Sequence, residues 1–188
     1  MFLQRLDWEK VFGNDHPVEL ELGAGDGGFI LAWAARHPGV NFVAVERLLG
    51  RVRKIAKRAA ARGLGNLRVL RLESSYVVER MCPPASVDRI HIMFPDPWPK
   101  RKHHKHRLIQ PRFLAACQQA LVPGGTVRLT TDHAEYFAAA RTIWAGEPGW
   151  EELGAWNACD DPPTDFQQMW EAEGRTTLRC EWRKAGVG

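Results

Sequence analysis

A regular alternation of apolar strands with helices constrains this chain more than any other feature. Val18-Glu19-Leu20-Glu21-Leu22 reads as a strand that runs into the turn Gly23-Ala24-Gly25-Asp26-Gly27-Gly28. Phe29 to Arg36 follows as a helix, stopped by Pro38-Gly39. Asn41 to Glu46 is a second strand. Leu48 to Arg62 is a long helix, with Leu49, Val52, Ala56 and Ala59 at helical spacing and Gly63 and Gly65 at its end. Leu67 to Leu72, Val87 to Met93 and Thr126 to Thr131 are further strands. Helices are expected from Pro111 to Leu121 and from Glu135 to Trp144, with Val122-Pro123-Gly124-Gly125 as a turn. Such a pattern requires a parallel sheet with helices on both faces and right-handed crossovers.

The pattern changes after Gly149. Trp150 to Leu153 reads as a strand, Gly154 to Thr164 as a loop and Asp165 to Glu173 as a short helix. In Thr176 to Trp182, alternate residues share one face, which suits an antiparallel strand added at the sheet edge. Residues 1–17 form a short amphipathic preamble. The whole 188-residue length fits one domain with a sizeable core. Cys82, Cys117, Cys159 and Cys180 are scattered, which argues against a zinc site or a disulfide framework and fits a reducing compartment. No signal peptide or membrane span is visible, so a cytoplasmic protein is expected.

Ligands of open α/β sheets sit beyond the carboxyl ends of the strands. Glu46, Glu73, Asp96 and Asp132 fall at such ends, and Glu21 stands just before the glycine turn. Gly23, Gly25 and Gly28 fit Gly-x-Gly-x-x-Gly, with Glu46 about 20 residues on. That pattern is shared by dinucleotide oxidoreductases and S-adenosylmethionine methyltransferases. Glu21 and Asp26 favour the second, because carboxylates there repel a pyrophosphate and attract a sulfonium and an α-amino group.

The most unusual stretch is Phe94-Pro95-Asp96-Pro97-Trp98-Pro99, followed by Lys100-Arg101-Lys102-His103-His104-Lys105-His106-Arg107. Prolines on either side hold Asp96 in a rigid loop. The basic run suits phosphates, and Trp98 suits stacking on a base. The cations Arg51, Arg53, Lys54, Lys57, Arg58 and Arg62 of the long helix read as an ordinary solvated face. His91 reads as a packing residue. His103, His104 and His106 lack metal partners, so no metal is expected.

With these motifs the chain resembles the bacterial tRNA (guanine-N7-)-methyltransferases, the TrmB family, from about Trp8 onward. The resemblance implies a class I S-adenosylmethionine-dependent (Rossmann-like) α/β fold with a mostly parallel seven-stranded sheet. It implies methylation of guanine 46 in tRNA. It places Glu21, Gly23, Gly25, Glu46, Glu73 and Asp96 at the cofactor, with Asp96 also catalytic. It assigns Lys100, Asp132, Thr164 and Gln167 to the substrate, and Lys102, His103, His104, Lys105, His106 and Arg107 to RNA. The family's Thr-Lys-Phe/Tyr-Glu motif is represented here by Thr164-Asp165-Phe166-Gln167, so one cation and one acid are replaced.

Guanine N7 carries a lone pair and no proton, so the task is alignment rather than base catalysis. Three alternatives remain at the level of sequence. An exocyclic-amine methyltransferase would carry Asp/Asn-Pro-Pro-aromatic where this chain has Asp96-Pro97-Trp98. A non-catalytic RNA-binding protein on the same fold would have no need of the acids, and an NAD oxidoreductase would share only the glycine turn. Either a monomer or a homodimer is compatible with the sequence.

Overall fold

The strands are β1 (Val18–Leu22), β2 (Asn41–Val45), β3 (Leu67–Leu70), β4 (Val87–Met93), β5 (Leu121–Thr131), β6 (Trp150–Gly154) and β7 (Leu178–Lys184). They form one sheet in the order β3-β2-β1-β4-β5-β7-β6 in a computed structural model that describes residues 5–157 and 176–186. The first five are mutually parallel, while β7 runs antiparallel to both β5 and β6. The helices are α1 (Trp8–Phe12), α2 (Gly28–Arg36), α3 (Leu49–Ala61), α4 (Ser74–Tyr76), α5 (Pro111–Ala120) and α6 (Ala134–Gly146).

Alternation along the strands divides the core between the two sheet faces. Leu20 and Leu22 of β1, Val43 and Val45 of β2 and Ile90 and Ile92 of β4 pack with Phe113, Leu114 and Cys117 of α5 and Trp144 of α6. Phe42 and Ala44 face the other way, toward Phe29, Ile30 and Trp33 of α2 and Ile55 and Ala59 of α3.

Three details differ from the sequence expectation. The C-terminal antiparallel strand is not the edge: β7 lies between β5 and β6. Its Cys180, Glu181 and Trp182 are buried, and Trp182 stacks on Trp144 with centroids 3.9 Å apart. An edge would leave these groups wet. β6 instead takes the edge, with Glu151, Glu152 and Leu153 exposed. The expected turn Val122–Gly125 is part of β5, as an irregularity opposite Val87–Arg89 of β4. Gly125 is required there, since a Cβ would lie 3.0 Å from the Val122 carbonyl and 3.1 Å from that of Asp88. Finally, α4 continues into a π-helical turn, Val77–Met81, that the sequence pattern did not announce. The expected helix Asp165–Glu173 lies outside the described residues.

Candidate active site

Five parallel strands put their following loops on one edge of the sheet. The strand order reverses between β1 and β4, so the glycine turn after β1 and the Pro-Asp-Pro loop after β4 flank the switch point. A ligand crevice forms there for topological reasons.

The turn is pinned to β2: Gly23 and Ala24 both donate to the Val45 carbonyl, at 2.8 and 2.9 Å. Gly23, Gly25 and Gly27 all have positive φ, at 80°, 57° and 80°. A Cβ on Gly23 would meet nothing within 4 Å, so its surroundings are open. A Cβ on Gly27 would come within 2.8 Å of Ile55. Gly27, outside the three-glycine pattern, is therefore what allows the turn to pack on α3.

Glu46 is buried, and its two oxygens accept from the backbone N–H groups of Gly25 (3.0 Å) and Leu48 (2.8 Å). These bonds orient the carboxylate between the glycine turn and α3. Its remaining lone pairs can accept from ribose hydroxyls. Glu21 is 2% exposed, beside His91 in the β1–β4 register. Two buried acids and an open glycine backbone fit the cationic, hydroxyl-bearing S-adenosylmethionine better than a pyrophosphate.

Asp26 departs from its expected role. Its carboxylate is 2.6 Å from Lys54 and 3.8 Å from Arg51, and these bonds and charges lower its pKa. It faces α3, and its charge is taken up there. Glu73 also turns onto its own chain: it caps α4, accepting from Ser75 N (3.1 Å), Ser75 Oγ (2.6 Å) and Tyr76 N (2.9 Å). Any adenosine contact from Glu73 would have to share these oxygens.

Phe94 and Trp98 have positive φ, 50° and 43°, and bracket the Pro-Asp-Pro loop. Non-glycine residues held in this region cluster at functional sites. Asp96 is exposed, and its Oδ1 accepts from Trp98 N at 3.1 Å. Asp132, half-buried, follows β5 on the same edge. Thr164 and Gln167 lie outside the described residues.

The basic run begins with exposed Lys100, which caps a 3-10 segment, Arg101–His106. Lys102, Lys105 and His106 are exposed; His103 and His104 are half-buried. Trp98 packs on His103 and His106, with centroids 5.7 and 5.2 Å away. Its ring props the segment rather than standing free for a base. Arg107 also differs from its expected place on the RNA surface. It is 6% exposed, donates to the Pro97 carbonyl at 2.9 Å, and makes a bidentate pair with Glu135. Its guanidinium lies 5.2 Å from the Tyr136 ring centroid. Arg107 thus ties the end of the basic run to the Pro-Asp-Pro loop and to α6. The one sequence hint was its position directly before apolar Leu108-Ile109.

Beneath the crevice lies a polar layer that the sequence pattern did not announce. Glu19 accepts from His91 (2.7 Å), Trp33 (3.0 Å) and Arg89 (3.1 Å). Farther across the sheet, Glu181 of β7 accepts from Arg128 at 3.1 Å. Burial opposes the Glu19 charge, but its donors outweigh that penalty and bring its pKa down to about 2. Burial lowers the pKa of His91, so it stands as a neutral donor. Among the described residues no cluster of His, Cys, Asp or Glu could hold a metal ion, and no helix is long and apolar enough to cross a membrane.

The fold is that of a class I methyltransferase. The 16S rRNA methyltransferase KamB superposes with a TM-score of 0.70 at 18% identity, over 95% of this chain and 92% of that one. A family model described as "Putative methyltransferase" matches residues 15–180. A tRNA (guanine-N(7)-)-methyltransferase of Marinobacter nauticus is 36% identical over 174 residues, covering 90% of this chain and 73% of that protein. One of Mycobacterium avium is 38% identical over 143 residues, covering 76% of this chain. The chain belongs to the bacterial tRNA (guanine-N7-)-methyltransferase family. The Mycobacterium avium match spans 55% of that relative's length, and a Myxococcus xanthus match spans 61%.

Proposed function

We propose that the chain transfers a methyl group from S-adenosylmethionine to N7 of guanine 46 in tRNA, in the cytoplasm. The observation that carries this is the switch point itself, where the glycine turn and the rigid Asp96 loop meet and the basic segment begins. S-adenosylmethionine supplies an electrophilic methyl on a sulfonium. Glu21 and Glu46 orient the donor through its cationic and hydroxyl groups. The Asp96 loop would position the purine with its N7 lone pair toward the methyl group of a bound donor.

Forming the N7–methyl bond would break the methyl–sulfur bond, turn the sulfonium into a neutral thioether and leave the guanine cationic. The Asp96 carboxylate stabilises that developing charge, an electrostatic contribution fixed before the reaction begins. Asp132 orients the base through its N–H groups, and Lys100, Lys102 and Lys105 hold the phosphates around it. Thr164 and Gln167 are assigned to the guanine by the family resemblance.

Asp96→Asn tests the assignment. Turnover on unmodified tRNA should fall about 100- to 1000-fold, with donor affinity by calorimetry changed only a few-fold. Near-normal turnover would remove Asp96 from the mechanism.

A further inference from the structure

Between Glu46 and Glu73 the chain carries nine Arg or Lys residues and no acid. Most of them lie on or around α3. Arg51, Lys54 and Arg58 turn toward the glycine turn: the first two pair with the Asp26 carboxylate, and Arg58 donates to the Asp26 carbonyl at 2.8 Å. Arg53 and Lys57 lie on the opposite side from buried Ile55 and Ala59; both are exposed and make no ion pair among the described residues.

This arrangement works against the helix. Arg53 with Lys57, and Lys54 with Arg58, are like charges at i,i+4, each costing a few tenths of a kcal/mol. Cations also crowd the N-terminal half of α3, where the macrodipole favours anions, and its first turn has no acid. A merely solvated helix would gain from interspersed Glu residues. The uniform sign is explained if the compensating negative charge comes from outside the chain.

Position identifies the partner. The N-terminus of α3 follows Glu46 at the crevice edge, and the basic 3-10 segment leaves the same edge after β4. Two positive surfaces therefore flank the crevice, and a long polyanion whose base enters it can reach both.

We infer that the outer face of α3, through Arg53 and Lys57, is a second docking surface for the phosphate backbone of the tRNA. This rests on the function proposed above.

The test is the double variant Arg53→Gln/Lys57→Gln, assayed for binding and methylation of unmodified tRNA across a salt series. Two lost phosphate contacts should flatten the slope of log affinity against log salt by about 2 and weaken binding about tenfold near 0.15 M salt. KM for tRNA should rise in proportion, with kcat and donor affinity retained. If the wild type binds tRNA and the variant shows the same slope and KM, α3 is a solvated face and the inference fails. If the variant instead loses only binding to anionic phospholipid vesicles, the surface belongs to a membrane and the inference also fails. If the wild type itself neither binds nor methylates tRNA, the proposed function falls first, and this inference with it.

Discussion

At the scale of single residues, burial and hydrogen bonding decide which charges are available to a ligand. Glu19 is the clearest case of a charge spent internally. Its folded pKa of about 2 lies below the ordinary value of 4.5. The linked stabilisation is therefore complete above the unfolded value and is lost as the pH falls toward 2. Acid titration of thermal stability should show this loss, and Glu19→Gln should show less of it. An unchanged acid profile in that variant would mean Glu19 is not the group responsible. Gly27 makes a similar point through sterics. Gly27→Ala would force a Cβ into left-handed backbone and against Ile55, and should cost at least about 2 kcal/mol in denaturant unfolding. A loss below about 0.5 kcal/mol would show that α3 can move aside.

At the scale of elements, the loop after β4 is shaped by its anchors as much as by its prolines. Arg107→Leu removes the bonds to Pro97 and Glu135, and should cost about 2 kcal/mol. Amide exchange should then quicken across residues 94–107, and KM for tRNA should rise more than kcat falls. An unaltered exchange pattern would contradict the anchoring role. The strands, helices and strand-end acids were legible because alternation and Gly/Pro punctuation are local signals. The destination of each charge was not, because it depends on which element lies opposite. Apart from its place before Leu108-Ile109, Arg107 reads in sequence like Lys105, yet it is Arg107 that meets Glu135 across 28 residues. Glu73 reads in sequence like the other strand-end acids, but its oxygens cap α4. β7 alternates like an edge strand, but its burial is set by Trp144 and by the β6 strand beyond it.

At the scale of the molecule, sheet order makes the site. Reversal between β1 and β4 brings together the turn that suits the methyl donor and the loop that suits the acceptor. The basic 3-10 segment leaves the same edge, although the net charge of the whole chain is only +4. Binding of tRNA should therefore be strongly salt-dependent while donor binding is not. The central claim, methylation of guanine 46 at N7, is tested most directly by transfer of labelled methyl from S-adenosylmethionine to unmodified tRNA, with mapping of the product. A single N7-methylguanine at position 46, absent when that guanine is replaced by adenine, is the predicted result. Label on an exocyclic amine, label persisting after the replacement, or no incorporation into any tRNA would contradict it.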